Sequence, residues 1–183
     1  MSDQSADPRA RLLSLLDRYR PADPRERAMR DLAHRFVAEN PRCFERSLRA
    51  GHVTGSAWII DPKRQRALLT HHRKLSKWLQ LGGHADGEPN ILEVALREAQ
   101  EESGLIGIRP VSEQIFDVDV HLIPRFRDEP EHIHYDIRFL LEADDTQPLQ
   151  VSDESRRLLW LDFDSIPSHT GEESVLRMLR KSR

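Results

Sequence analysis

The sequence contains one cysteine and no long apolar run. Because Cys43 has no second cysteine to pair with, an internal disulfide is excluded. No N-terminal stretch resembles a signal peptide, and no segment reaches the roughly 18 apolar residues of a membrane span. The net charge of −3 gives no general attraction to nucleic acid or to anionic membranes. We therefore expect a cytoplasmic protein whose partner is neither a nucleic acid nor a membrane.

A change of composition near residue 50 divides the chain. The first part is predicted to form two arginine-rich helices, the second of which has Asp23 as its N-cap and Pro24 in its first turn. Acidic residues are interleaved with the arginines, which favours a solvated face around an apolar stripe over a DNA-binding surface. The stripe consists of Leu12, Leu15, Leu16, Met29, Leu32 and Phe36. We predict that residues 1–48 form a cap or the arm of a homodimer, and that residues 49–183 form the main domain.

The second part is predicted to mix strands with a few helices. A short turn separates the strands "HVTGSAWII" and "RALLTHH", and later strands are predicted at "KWLQLGG", "QIFDVDVHLI", "HIHYDIRFLLEA" and "RRLLWLDF". One helix is predicted between Asn90 as N-cap and Gly104 as its stop, and another lies near 172–181. This order lacks regular βαβ repetition. It indicates an α+β fold, or three-layer sandwich, built on a mixed sheet.

The first of these helices carries a concentration of negative charge. It follows the glycines of "LGGHADGEPNILEVALREAQEESGLIG", and Glu98, Glu101 and Glu102 share one of its faces, where they repel one another. Carboxylate and carbonyl oxygens are the ligands that Mg²⁺ and Mn²⁺ prefer, and such ions also bind phosphate oxygens. The face therefore predicts a metal site with a phosphorylated substrate. The alternative is an ordinary solvated helix surface.

The spacing of these residues resembles the Nudix box, GX5EX7REUXEEXGU, where U is a bulky aliphatic residue. Counted from Gly83, the matching positions are Arg97, Glu98, Glu101, Glu102, Gly104 and Leu105. Two positions depart from the pattern. The early glutamate falls on Pro89, with Glu88 one place too soon, and the aliphatic position holds Ala99. We infer that Glu88 takes the salt-bridging role of the displaced glutamate.

This resemblance implies an α/β/α sandwich with a mixed sheet and hydrolysis of a nucleoside diphosphate linked to another moiety. It also implies a cofactor, Mg²⁺ or Mn²⁺. The implied metal ligands are Glu98, Glu101 and Glu102, completed by the carbonyl of Gly82. The resemblance also implies that hydrolysis of a nucleotide sugar would give a nucleoside monophosphate and a sugar 1-phosphate.

Two further residues acquire catalytic roles through the resemblance. Arg97 looks like the group that orients a metal ligand, and helical spacing allows it to pair with Glu93 and Glu101. Glu154 lies in a late loop, from which Nudix enzymes often recruit a general base or an additional ligand. Asp153 competes for that role, and the box glutamates are not excluded.

Two alternating strands present a polar face. His121 and His134 are expected to lie opposite each other, and Asp119 opposite Asp136, if the strands pair as a hairpin around 124–131. Such a patch could contact a diphosphate or hold a second metal, and we assign His121, His134 and Asp136 to substrate binding. The alternative is a solvent-facing sheet with incidental histidines.

Cations precede the glycine pair and are candidates for neutralising substrate phosphates. They are His71, Arg73, Lys74 and Lys77. A charged hairpin tip is the alternative for each of them. His84, directly after the glycines, either faces the metal or caps the turn.

Three functional classes remain open at this stage. The leading one is a metal-dependent diphosphate hydrolase. Several sequence segments are similar to those of nucleotide-sugar hydrolases with a helical N-terminal extension. The second is an isopentenyl diphosphate isomerase, which would want a cysteine beside the glycine turn, whereas Cys43 lies far upstream. The third is a non-catalytic nucleotide-binding Nudix module, which would have been free to lose the glutamates.

Overall fold

The structure is a computed structural model that describes residues 7–125 and 130–183. Its helices are α1 (Ala10–Arg18), α2 (Pro24–Glu39), α3 (Ile91–Ser103), α4 (Ile166–His169) and α5 (Glu173–Ser182). Its strands are β1 (Gly51–Ile60), β2 (Arg66–His72), β3 (Trp78–Leu79), β4 (Leu81–His84), β5 (Arg109–Pro110), β6 (Asp117–Ile123), β7 (His132–Glu142) and β8 (Ser155–Asp162). The short elements β5 and α4 were not predicted. None of the helices in the described ranges has the length and apolar character that crossing a bilayer requires.

Strand β1 lies at the centre of a mixed sheet. It pairs in parallel with β7 along its whole length and antiparallel with β2 and β4, which occupy its two ends. Strand β6 adds to the other edge of β7, and β8 adds to β2. Every residue of β1 is buried, because strands or helices cover both of its edges and both of its faces. The mixed sheet and the α+β class are confirmed.

The two faces of the sheet differ in chemistry. Helix α3 packs on the apolar face, where Gly55 lets the helix approach so closely that a Cβ there would lie 2.9 Å from a Val94 methyl carbon. The opposite face carries the even-numbered residues of β1 and β7, which are largely polar. This division places the glutamates of α3 on one side of β4 and a group of histidines on the other.

The N-terminal helices pack onto the sheet and share its hydrophobic core. The ring of Phe36 stacks on Tyr135 of β7 with 3.9 Å between the ring centroids. All the predicted stripe residues are buried except Leu32, whose side chain is exposed, so that part of the prediction is wrong. The buried stripe of α2 runs through Met29, Ala33 and Phe36, and Leu32 lies on its flank. The boundary after residue 48 stays a prediction.

Helices α2 and α3 begin at the predicted residues, and α3 ends at the predicted glycine, but one of the predicted capping hydrogen bonds is not formed. The Asp23 side chain accepts a hydrogen bond of 2.8 Å from the Glu26 amide, as an N-cap should. Helix α3 follows Asn90, but the side chain of Asn90 makes no capping hydrogen bond. Gly104 ends α3 in the left-handed conformation at φ +70°.

Candidate active site

The glycine turn of β4 brings a carboxylate against the sheet. A Cβ at Gly83 would lie only 2.5 Å from Glu98 Oε2, so any larger residue at this position would push the Glu98 carboxylate aside. Glu98 is largely buried by this contact, and burial raises its pKa. The Glu98 carboxylate therefore lies between β4 and α3, with little contact with water.

Glu102 is the most deeply buried of the helix glutamates, with 7% of its surface exposed. Its Oε1 accepts a hydrogen bond of 2.7 Å from the Gly82 amide. Burial raises its pKa to about 8, with smaller contributions from the charges of Glu98, Glu154 and Glu101. A second carboxylate is therefore held where its ionised form is disfavoured.

Arg97 orients Glu98 from the neighbouring position in the chain. Its guanidinium Nη2 donates to Glu98 Oε1 at 2.8 Å and to the carbonyl oxygen of His84 at 2.9 Å. The predicted pairs with Glu93 and Glu101 are wrong, because the arginine turns toward β4 instead of running along its own helix. The predicted orienting role is consistent with this geometry, since one guanidinium ties a carboxylate of α3 to the backbone of β4.

The late loop before β8 reaches the same place. The charge of Glu154 contributes to the raised pKa of both Glu98 and Glu102, so its carboxylate lies within electrostatic range of theirs. The loop is fixed there because the Glu154 carbonyl accepts a hydrogen bond of 2.8 Å from the Arg73 amide. Glu101 and Glu154 are exposed, whereas the other two carboxylates are not. Tertiary structure thus adds a fourth carboxylate to the three that share the helix.

The predicted cations lie around the β2–β3 turn, close to that loop. The Arg73 side chain donates to the Ser155 carbonyl at 3.2 Å, and Lys77 forms an ion pair of 2.8 Å with Glu172. The ring of His71 lies 5.1 Å from that of Trp78, and Lys74 is exposed. Of these side chains, Arg73 is the one that contacts the Glu154 loop.

Glu88 has a different role from the one inferred. Its Oε1 accepts a hydrogen bond of 2.8 Å from the Asn90 amide at the start of α3. The carboxylate thus satisfies a backbone donor of the turn, which the Asn90 side chain does not do. The inferred salt bridge of Glu88 is wrong, because the shift by one place leaves the carboxylate within reach of its own turn.

The histidines gather on the opposite face of the sheet. The predicted register of β6 and β7 is confirmed, since Asp119 lies opposite Asp136 and His121 opposite His134. The sequence pattern places His132 on the same polar face as His134 but gave it no role, and sequence reasoning missed His52. One imidazole nitrogen from each of four histidines lies within 4.8 Å of the others; the four are His52, His84, His132 and His134. Only the parallel pairing of β1 with β7 reveals that His52 belongs there.

Asp136 is a buried structural acid. Its two oxygens accept hydrogen bonds from Thr54 (2.9 Å), Ser56 (2.8 Å), Gln80 (3.3 Å) and Arg138 (2.7 Å). The side chain is 3% exposed, so this geometry favours a role in the sheet over the predicted contact with substrate. His121, by contrast, is partly exposed and bonds Asp119 at 3.0 Å.

A buried ion network continues this polar face beneath α5. Arg177 donates to both oxygens of Asp117, at 2.8 and 2.7 Å, and Arg138 pairs with the same carboxylate at 3.3 Å. Lys181 and Glu26 complete the group and connect α5 to α2. Asp117 is therefore committed to holding helices on the sheet.

Comparison with known proteins decides the family. The sequence pattern of the NUDIX domain matches residues 51–181, which is most of the chain. The chain belongs to the Nudix family. It is accordingly a Nudix hydrolase, an enzyme that acts on diphosphate-containing substrates, and enzymes of this family use divalent metal ions. No curated protein matches the Nudix chain in sequence.

Solved structures share the fold of this Nudix hydrolase. An Ap4A hydrolase from C. elegans is 16% identical, with a TM-score of 0.55 over 70% of this chain and 93% of its own. A MutT protein from Methanosarcina mazei Go1 is 18% identical, with a TM-score of 0.54 over 74% and 94%. A bifunctional NMN adenylyltransferase/ADP ribose pyrophosphatase from Francisella tularensis, complexed with AMP and a Mn ion, is 14% identical, with a TM-score of 0.50 over 87% and 48%. At these identities the likeness concerns the fold.

Proposed function

We propose that this Nudix hydrolase cleaves a nucleoside diphosphate linked to another moiety, such as a nucleotide sugar or an ADP-ribose-like compound, by attack of water on the diphosphate. We further propose that it depends on Mg²⁺ or Mn²⁺. The observation that carries the proposal is the position of Glu98 and Glu102 at the Gly82–Gly83 turn, where burial raises their pKa values and the charges of Glu101 and Glu154 act on them.

The donor set suits a hard divalent cation. Its oxygens come from carboxylates, and Mg²⁺ and Mn²⁺ prefer such ligands over nitrogen or sulfur. Burial of Glu102 raises its pKa to about 8, so its ionised form is costly until a positive charge arrives. A cation would remove that cost, which is why we assign Glu98, Glu101, Glu102 and the Gly82 carbonyl to metal binding.

The chain's own residues have separable tasks in this proposal. Arg97 holds Glu98 in place through the contact already described, and Glu154 is proposed to accept the proton of the attacking water. When bound, the cation offsets the charge of the diphosphate and lowers the pKa of water. The proposed substrate contacts are His71, Arg73, Lys74 and Lys77. The predicted contacts of His84, His121, His134 and Asp136 are not part of this proposal, because these residues lie on the opposite face of the sheet.

The named activities of structural neighbours agree with the substrate class. The proteins from C. elegans and Francisella tularensis are named for Ap4A and ADP ribose, both of which contain phosphoanhydride bonds. The latter was determined with a Mn ion. Each of these names supports a nucleotide-derived diphosphate as the substrate of this chain.

The structure argues against the isomerase alternative, because its catalytic cysteine would have to be Cys43. Cys43 is fully buried in the hydrophobic core, and burial raises the pKa of its thiol to about 11. A thiol in that state is a poor acid and a poor nucleophile. The non-catalytic alternative predicts no turnover of either substrate in the hydrolysis experiment below.

The N-terminal extension is proposed to act mainly as a cap. Its apolar stripe is covered by the chain's own sheet, with Phe36 stacked on Tyr135, and Leu32 is the stripe residue that remains exposed. A homodimer through the extension would have to use the outer surface of α1 and α2. Light scattering of the full chain distinguishes the two, since a mass of twice 21.3 kDa would favour the arm.

Hydrolysis in ¹⁸O-labelled water tests the reaction. A nucleotide sugar and ADP-ribose are each incubated with Mg²⁺ or Mn²⁺, and the expected products are a nucleoside monophosphate and a sugar 1-phosphate or its ADP-ribose counterpart. The label should appear on a phosphate. Label found only on a sugar hydroxyl would overturn the mechanism, because attack at the sugar carbon needs a carboxylate pair flanking the glycosidic bond.

A further inference from the structure

Four histidines meet at the end of the polar face, away from the carboxylates. They come from three strands, with His52 on β1, His84 on β4, and His132 and His134 on β7. Their nearest ring nitrogens lie within 4.8 Å of one another, and the Nε2 atoms of His132 and His134 are 3.0 Å apart. Four imidazole nitrogens around one zinc ion at tetrahedral angles lie about 3.3 Å apart, so small side-chain adjustments would bring all four to bonding distance.

His52 shows that the cluster is incomplete as a hydrogen-bonded group. The residue is 2% exposed, and neither of its ring nitrogens has a hydrogen-bond partner within the described part of the chain. A buried imidazole without partners destabilises the fold unless something bonds to it. Three other imidazole rings surround this one at centroid distances of 4.9–5.0 Å.

The tautomer of His132 is already set for metal binding. Its Nδ1 lies 2.8 Å from the Pro130 carbonyl oxygen, which can only accept, so Nδ1 carries the proton and Nε2 keeps its lone pair. This arrangement, in which one ring nitrogen donates to a carbonyl and the other is left to bond, is usual for histidines that bind metals. The lone pair of His132 Nε2 faces His134 Nε2 at 3.0 Å, within the cluster.

His132 and His134 are hydrogen-bonded to each other. Because Nδ1 of His132 carries its proton, the 3.0 Å contact between the two Nε2 atoms requires a proton on His134 Nε2. A metal ion bound by both nitrogens would take the place of that proton, which is released to solvent.

We propose that His52, His84, His132 and His134 form a transition-metal site, distinct from the carboxylate site, for which Zn²⁺ is the best-fitting ion. Nitrogen donors without carboxylates select zinc and its neighbours over Mg²⁺ or Mn²⁺. The two sites are separate because Gly83 faces Glu98 across one side of β4, whereas the His84 side chain lies on the other. Bound metal would tie β1, β4 and β7 together at their shared end.

A cavity adjoins the cluster. It has a volume of about 430 Å³ and is lined by His52 and His132 together with Arg46, Arg49 and Arg125. The surrounding arginines repel a free cation, so binding must come from the nitrogen ligands themselves.

Cobalt and zinc titrations of the metal-stripped full chain, prepared without a histidine tag, test the site. We expect the intense visible absorption of tetrahedral Co²⁺ at one ion per chain, displaced by one Zn²⁺. A variant with Glu98, Glu101 and Glu102 changed to glutamine should keep this signal. His134→Gln should weaken binding by more than about 100-fold, because losses of supporting groups alone cost about 10–100-fold. His34→Gln, on α2, is the matched control and should bind like the parent.

Thermal unfolding supplies a second measurement. Zn²⁺ at about 100 times its Kd should raise the Tm of the parent by about 5–10 °C. His52→Leu removes an unpartnered buried imidazole, so its metal-free Tm should equal or exceed that of the parent while the zinc-dependent rise disappears. The proposal is overturned if Co²⁺ gives no tetrahedral spectrum with the parent, if the glutamine variant loses the signal, or if His134→Gln or His52→Leu retains the full zinc response.

Discussion

Replacing Glu102 by glutamine should stabilise the metal-free protein while removing its activity. Glutamine has nearly the same shape, and its Oε1 can still accept the hydrogen bond from the Gly82 amide that Glu102 accepts at 2.7 Å. The substitution therefore removes a charge without removing a contact. Since the residue is 7% exposed, solvent screens this charge only weakly.

The size of the effect follows from the pKa of Glu102, which burial raises from 4.5 to about 8. At low pH both folded and unfolded chains hold the proton, and the group has no effect on stability. Between the two pKa values only the folded chain holds it, so the free energy of unfolding falls as pH rises, by about 1.4 kcal/mol per pH unit. The loss for the parent reaches about 3–5 kcal/mol near pH 8, and the glutamine variant avoids it.

Urea unfolding of both proteins, freed of metal, at about pH 4.5 and about pH 8 measures this difference. The variant should match the parent at the lower pH and exceed it at the higher one. With Mg²⁺ present, only the parent should gain stability and turn over substrate, while the variant should lose at least about 100-fold in kcat. Equal stability differences at both pH values, or full activity of the variant, would refute the reasoning.

Three further substitutions test the glycine turn, the orienting arginine and the N-terminal extension. Gly83→Ala should lower kcat/KM at least about tenfold, because the new methyl group displaces the carboxylate that faces it; steady-state kinetics with Mg²⁺ measures this. Arg97→Gln should lower kcat by about tenfold or more while changing the free energy of unfolding by less than about 1 kcal/mol, because its ion pair is partly exposed. Phe36→Ala should cost about 3 kcal/mol in urea unfolding, because it removes a buried ring stacked on β7.

Matched controls separate these effects from general damage. Gly171→Ala places its methyl group in open space and should leave kinetics unchanged. Leu32→Ala, on the exposed flank of α2, should cost less than about 1 kcal/mol. A fully active Gly83→Ala enzyme would contradict the close approach at the turn. An Arg97→Gln variant with parental kcat would leave the arginine without a catalytic task, and equal losses for Phe36→Ala and Leu32→Ala would contradict the packing of the extension.

The N-terminal extension shows which features helical periodicity predicts and which it does not. Helical spacing identified α1 and α2 and most of their buried residues, because burial follows from one face of a helix. Helical spacing also placed Leu32 on the buried face, which is wrong. The apolar face of a helix spans about 100°, and only the sheet packed against it determines which side of that face is covered. The stacking partner of Phe36 is a residue of β7, about a hundred positions away, and no local pattern names it.

The sequence by itself determined the mixed strand and helix order, the β6–β7 register, and the three glutamates on one face of α3, because each depends on local periodicity or on a short motif. Only tertiary structure decided that Arg97 turns to β4, that Glu154 joins the box carboxylates, and that Asp136 is satisfied inside the sheet. The four-histidine cluster belongs to this second group. Its members reach one another through the parallel pairing of β1 with β7 and the antiparallel pairing of β1 with β4, contacts between segments that are remote along the chain.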